Sequence, residues 1–274
     1  MRIAAAQIVS SSDPAANLEL IRSWSASAAE AGARVVVFPE ATHCQFGHRL
    51  DAVAEPIEGP WAQEVRKIAH ETGLVIVVGM FTPATPSDSG RARVANTALA
   101  VGPGVEASYQ KIHLYDAFGF KESDTVAPGE HPVQFTVEGI CFGLGICYDI
   151  RFPQLFTAYG RAGTHVTVLP TSWGAGPGKV EQWQVLSAAR ALDSSQYVVA
   201  CDQADPAASN EPAPEGAPTG VGYSRVVSPF GAIVAEAGAH PELVVAEVDP
   251  ELVAEARTKI PVLENAREIP QQLG

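Results

Sequence analysis

Hydrophobic positions along this chain fall into short runs whose spacing alternates between strand and helix. Residues 3–8 read as a strand. Asp13 then offers a capping carboxylate, and Pro14 follows where a missing N–H costs nothing. Leu18, Ile21, Trp24 and Ala28 recur at helical spacing, giving one apolar stripe that Gly32 ends. Residues 35–38 are continuously apolar, the mark of a strand covered on both faces. Pro60 opens a second helix with Trp61, Val65, Ile68 and Ala69 on one side; Gly73 stops it and residues 74–80 form the next strand. Strand, helix and strand in this order predict a layered α/β domain.

The middle of the chain changes character. Residues 94–101 and 105–110 predict a hairpin turned at Gly102, Pro103 and Gly104, and residues 133–137 and 140–146 another turned at Glu138 and Gly139. Pro153 opens a helix to about residue 162. A strand at 166–169, a helix at 181–193 and a strand at 197–201 follow. Residues 204–219, rich in Pro, Ala and Glu, predict a mobile surface excursion. Helices and hairpins are interspersed with no compositional break and no firm internal repeat. The expectation is therefore one domain over residues 1–274, with about 250–274 as a C-terminal extension. Two mixed sheets should pack together with helices outside.

A length of 274 residues suits a single α/β unit. The net charge of −13 opposes contact with a phosphate backbone and argues against a nucleic-acid partner. It also means that an anionic substrate would need a local cation. No apolar run approaches the roughly 20 residues that span a bilayer, so no membrane association is expected. The N-terminal residues lack the pattern of an export signal. Cys44, Cys141, Cys147 and Cys201 have no paired-framework spacing, so a reduced, cytoplasmic setting is expected.

Three apolar, strand-like stretches end on complementary side chains: residues 34–40 on Glu40, 107–111 on Lys111, and 140–151 around Cys147. A charge at the end of a buried strand is costly without a partner, so the three ends predict one shared pocket. A base, a cation and a nucleophile are the equipment of nucleophilic acyl transfer. Free cysteines are ordinarily small buried hydrophobes. Cys147, however, follows a strand containing Gly143 and Gly145 and precedes Pro153, which opens a helix. That is the setting of a nucleophile elbow, where a backbone N–H, here that of Tyr148, can hold an oxyanion. Lys111 should lower the thiol pKa, and Glu40 should accept the thiol proton and later activate water. The three should titrate as a coupled unit. Asp149 and Arg151 are expected to brace the elbow as an ion pair. Trp173, just past another strand end, is either a pocket wall or an aromatic packed beneath a glycine-rich loop. His43, Cys44 and His48 offer three potential zinc ligands, but no second cluster supplies a fourth, and no metal is expected.

The segments FPE at 38–40, KIHL at 111–114 and GICYDIRFP at 145–153, in that order, resemble the Glu, Lys and Cys signatures of the nitrilase superfamily of carbon–nitrogen hydrolases. Residues 120–129, 188–191 and 222–231 resemble further segments of that family, so the likeness runs from residue 3 to about 249. The resemblance implies a four-layer α-β-β-α sandwich and a catalytic triad of Glu40, Lys111 and Cys147. It implies that Glu122 is a supporting acid that holds Lys111 and the substrate amide. No cofactor is implied, and a homodimer or larger homo-oligomer is. The Lys111, Glu122 and Cys147 segments are most similar to the ω-amidase and deaminated-glutathione-amidase group. This implies hydrolysis of a small carboxamide, aliphatic or ω-, to carboxylate and ammonia through a cysteine thioester. Nitrile or N-carbamoyl hydrolysis within the same superfamily is the alternative. A catalytically silent binding protein is disfavoured because every triad residue type is present.

Overall fold

The architecture follows from a computed structural model that describes residues 1–87 and 90–269. Its first half runs β1 (Arg2–Gln7), α1 (Pro14–Glu30), β2 (Val35–Val37), α2 (Pro60–Thr72), β3 (Val75–Ala84), β4 (Arg93–Gly102) and β5 (Val105–Gln110). A small hairpin, β6 (Asp116–Ala117) and β7 (Phe120–Lys121), precedes β8 (Val126–Ala127), β9 (Gln134–Val137) and β10 (Ile140–Leu144). Then come α3 (Pro153–Arg161), β11 (Val166–Thr171), α4 (Lys179–Ser194), β12 (Tyr197–Asp202), β13 (Arg225–Val227) and β14 (Ile233–Glu236). β15 (Glu242–Glu247), α5 (Pro250–Lys259) and α6 (Val262–Asn265) complete the described elements. One sheet has the order β15-β1-β2-β3-β4-β5, with β8 also pairing with β4; the other runs β14-β13-β12-β11-β10-β9.

Period-two alternation decides what each sheet face meets. Ile3, Ala5, Val35, Val37, Val75 and Val77 point into the core between the sheets, against Phe142, Leu144, Val166 and Val168. The intervening Ala4, Ala6, Val36, Ile76 and Val78 meet Ile21, Trp61, Val65 and Ile68 of α1 and α2. Both faces are buried, which is why these strands read as unbroken apolar runs. On the far side, α3 and α4 cover the second sheet, giving helices outside two packed sheets. The helix ends obey local rules: Asp13 accepts a hydrogen bond from the Ala15 N–H, and α2 ends at Gly73 with φ of 69°.

Two features lay beyond the sequence reading. β15 pairs antiparallel with β1, so residues 242–247 close an edge of the first sheet. Residues 204–219, expected to be a surface excursion, are anchored at both ends. The Ala204 N–H donates to the Ile8 carbonyl at 2.8 Å, and the Pro218 carbonyl accepts from Ser172 Oγ at 2.6 Å. Beyond β15, Val253 and Ala256 of α5 are buried, and Arg257 donates to the Thr164 carbonyl. Among the described residues, no helix is long and apolar enough to cross a membrane.

Candidate active site

Glu40 lies just past β2, where Pro39 ends the strand. There β3 crosses so closely that a Cβ at Gly79 would sit 2.7 Å from the Glu40 Cα. Only glycine allows this approach. The Glu40 side chain is buried and fully engaged. Oε1 accepts from Lys111 Nζ at 2.9 Å and Asn96 Nδ2 at 2.7 Å, and Oε2 accepts from the Ser172 N–H at 2.9 Å.

Lys111 directly follows β5, and its N–H donates to the Asn96 carbonyl at 2.9 Å, which keeps its backbone beside β4. Its ammonium is 2 % exposed and bridges Glu40 to Glu122, whose oxygens lie at 3.1 and 3.0 Å. Glu122 opens a 3-10 turn after β7, and its Oε2 also accepts from the Tyr115 N–H at 2.6 Å. Burial disfavours the lysine cation, but Glu122 and Glu40 outweigh it and hold the Lys111 pKa well above the usual lysine range.

Cys147 begins the 3-10 turn Cys147–Arg151 with a φ of 45°. A non-glycine residue held in the left-handed region is strained and requires surrounding structure to impose it. Asp149 provides that structure, though not through Arg151. Its Oδ1 accepts from the His113 N–H at 3.1 Å and faces His113 Nδ1 at 2.7 Å. Its Oδ2 accepts from Tyr109 Oη at 2.7 Å and the Ile146 N–H at 2.9 Å. The expected Asp149–Arg151 ion pair is therefore not made: the carboxylate is taken up by Tyr109 and His113, on either side of Lys111, and by the Ile146 N–H of its own turn. Tyr109 and His113 flank Lys111 by two residues each, so Asp149 ties the lysine backbone to the cysteine turn. Asp149→Asn should present an amide NH2 to at least one donor and cost about 3 kcal/mol or more. Urea unfolding, with activity followed in parallel, checks this; an unchanged midpoint would contradict it.

These groups meet in a pocket lined by Phe46, Tyr115, Phe120, Tyr148, Trp173 and Pro218 around the charged residues. Tyr148 is the second residue of the elbow turn, so its N–H is one that a helical start leaves without an intrahelical acceptor. Trp173 satisfies both of its readings. It lines the pocket, yet it is 3 % exposed, its Nε1 donates to the Lys179 carbonyl and its ring lies 5.5 Å from that of Trp183. Among the described residues two cations besides Lys111 line this pocket: Arg151, 5.1 Å above the Trp173 ring, and Lys179, 4.0 Å above the Phe118 ring.

The His43, Cys44 and His48 side chains have separate partners. The His43 ring packs on Trp61 at 4.5 Å, and burial pushes its pKa down to about 4. His48 pairs with Gln45, and the Cys44 thiol faces the Ser12 carbonyl. Among the described residues no group of three His, Cys, Asp or Glu side chains is placed to hold a metal ion.

Three participants escaped the sequence reading. Asn96 is a polar residue inside the apolar run 94–101, itself a signal because buried polar groups need partners. Asp202, at the end of β12, bears the same strand-end charge that marks Glu40 and Lys111. It accepts from the Trp173 N–H at 2.8 Å and the Val221 N–H at 2.9 Å, and burial pushes its pKa up to about 8. Ser172 contributes a main-chain N–H, which no residue pattern reveals.

Comparison with known proteins decides the family. The carbon-nitrogen hydrolase family model matches residues 2–258. The chain belongs to this family. Hydrolase Rv0480c of Mycobacterium tuberculosis is 53% identical over 277 residues, covering 99% of this chain and 97% of that protein. The deaminated glutathione amidase of Escherichia coli O157:H7 is 38% identical and covers 100% of both chains. Among solved structures, Saccharomyces cerevisiae Nit3, a member of branch 10 of the nitrilase superfamily, aligns with a TM-score of 0.79. It is 28% identical, with 96% of this chain and 94% of that one covered.

In this carbon–nitrogen hydrolase Lys111 lowers the thiol pKa and Glu40 raises it, as their charges predict, and burial decides the balance. Burial pushes the Cys147 thiol pKa well up, the Glu40 charge adds to this, and Lys111 only partly opposes them. The lysine thus does not produce a resting thiolate. Burial also raises the Glu40 pKa, with Lys111 acting against it, and the thiol faces the Ser172 carbonyl at 3.8 Å in the same pocket. A neutral thiol beside a carboxylate of raised basicity suits proton transfer during attack rather than before it.

Proposed function

We propose that this hydrolase is an amidase whose nucleophile is Cys147, whose general base and acid is Glu40, and whose oxyanion donors are Lys111 Nζ and the Tyr148 N–H. The observation that carries this reading is a buried thiol and a buried carboxylate lining one pocket, with the carboxylate accepting from a buried lysine. Cys147 Sγ bonds to the amide carbon as its proton passes to Glu40. The negative charge on the carbonyl oxygen is met by preorganised donors. Collapse of the intermediate breaks the C–N bond, and the Glu40 proton leaves with the nitrogen as ammonia. A water then attacks the thioester, giving a proton to Glu40, and that proton returns to sulfur as the carboxylate product departs. Glu122 anchors Lys111 throughout. An amide fits better than a nitrile, because attack on a nitrile forms a thioimidate nitrogen that needs added proton delivery.

The mouth of the pocket supports a substrate with an anionic group. Arg151 donates to the Gln182 side-chain oxygen, and Lys179 lies over aromatic rings; among the described residues neither forms an ion pair with a carboxylate. Two such cations on a chain of net charge −13 create a local positive field. The amidase name of the Escherichia coli relative agrees with amide hydrolysis. The test is ammonia release from short aliphatic amides, from amides of the same length ending in carboxylate, and from matching nitriles. Carboxylate-bearing amides are expected to exceed neutral ones by at least about tenfold in kcat/KM, with Arg151→Gln removing that advantage mainly through KM. Rapid quenching should show an acyl adduct on Cys147. Nitriles outpacing their amides would overturn the assignment.

A further inference from the structure

Asn96 is fully buried on β4 and, among the described residues, is the one neutral side chain that hydrogen-bonds both carboxylates of the site. Its Nδ2 lies 2.7 Å from Glu40 Oε1 and 3.4 Å from Glu122 Oε1, and its main-chain carbonyl accepts the Lys111 N–H. Chemistry fixes the amide orientation, since the flipped form would set its oxygen against two carboxylates. Holding this orientation leaves Asn96 Oδ1 buried without a partner. Folded proteins rarely tolerate an orphaned buried acceptor, and such a group calls for an explanation.

The two oxygens of Glu40 are consequently unequal. Among the described residues, Oε1 takes two side-chain donors, Asn96 and Lys111, while Oε2 takes only the Ser172 N–H. An oxygen carrying more donors is the weaker proton acceptor, because each donor stabilises the charge localised there. We infer that Asn96 is a positioning residue that, together with Lys111, occupies Glu40 Oε1 so that the Cys147 proton is received on Oε2. This inference rests on the reading of Glu40 as general base. Asn96 also joins Glu40 to Glu122, so it keeps the two carboxylates at a fixed spacing around the ammonium.

The test is the pH dependence of kcat and kcat/KM for the wild type, Asn96→Ala and Asn96→Asp, with Glu40→Gln alongside. The titratable groups facing Glu40 are Lys111 from the end of β5, Glu122 from the turn after β7, Cys147 from the elbow and Asp202 from β12. Loss of a donor raises the apparent pKa of the base, so the acid limb of the Asn96→Ala profile should move to higher pH. Its kcat should fall about 10- to 100-fold with KM little changed, as loss of an outer partner of a catalytic group commonly does. Asn96→Asp faces Glu40, Glu122 and Lys111. When protonated its O–H can replace the lost N–H, so this variant should stay within about tenfold of wild type at the acid end and lose activity as pH rises. An Asn96→Ala profile whose acid limb coincides with that of the wild type would overturn the inference, whether or not kcat falls. If Asn96→Ala does not fold, the Asn96→Asp profile decides, and a loss that is constant with pH would overturn it. Wild-type turnover in Glu40→Gln would instead reject the general-base reading itself.

Discussion

Replacing Cys147 with alanine should abolish ammonia release, with a loss of at least about 10,000-fold in kcat, as removal of a covalent nucleophile does elsewhere. Cys44→Ala, Cys141→Ala and Cys201→Ala should each retain most activity. The difference is one of placement. The Cys201 thiol is locked among the Ala6 and Val37 carbonyls between the sheets, and burial holds its pKa well above the usual range. Cys141 lies beside Gln134, away from the pocket, and Cys44 sits against the Ser12 carbonyl. Cys147 alone adjoins a carboxylate and an ammonium inside a pocket. Alanine keeps the Cβ at the strained turn, so stability should change by only about 1 kcal/mol. Steady-state kinetics with a parallel thermal melt check this, and turnover at the wild-type rate would end the nucleophile assignment.

The second large effect concerns the buried charges. Glu40→Gln and Lys111→Ala should each slow turnover by about 100- to 10,000-fold, the range expected when a general base or an oxyanion donor is removed. The double variant should be little slower than the worse single one, because groups acting as one unit lose their effect together. A loss equal to the product of the two would mean independent action. The variants should also differ in stability. Lys111→Ala leaves Glu40 and Glu122 facing each other without their shared cation, which should cost about 3–5 kcal/mol at neutral pH. The sign of its pH dependence follows from burial. The Glu40 pKa is already raised above its ordinary 4.5, and without Lys111 it rises further. A raised folded-state pKa favours folding below the unfolded value and loses that contribution as pH rises through the folded one. The penalty of Lys111→Ala should therefore be smallest near about pH 4 and grow upward. Urea unfolding at several pH values would show it, and a penalty independent of pH would argue against the two carboxylates being coupled.

Much of this molecule is legible in residue order because its determinants are local. Asp13 and Pro14 start a helix wherever the chain goes, and Gly73 ends one through a conformation open to glycine. Alternating burial makes β1, β2 and β3 recognisable, and the elbow at Cys147 follows from a glycine-bearing strand that runs into Pro153. Glu40, Lys111 and Cys147 were singled out by one argument, that reactive or charged groups at the ends of buried strands need each other. The same argument reaches Asp202 at the end of β12, while Asn96 follows from a different rule, that a polar residue inside a buried strand needs partners.

Other features were decided only by contacts between distant parts of the chain. Nothing near residues 242–247 indicates that they pair with β1, because an edge strand is defined by the neighbour that covers it. Asp149 binds Tyr109 and His113 rather than Arg151, since four groups brought together by the fold saturate its oxygens and leave Arg151 at the pocket mouth. The thiol pKa is set the same way. Sequence places a lysine and a glutamate in the chain, but only tertiary packing determines how much water is excluded around Cys147. With the site closed, burial and the Glu40 charge outweigh the attraction of Lys111 and hold the thiol pKa well above its ordinary range.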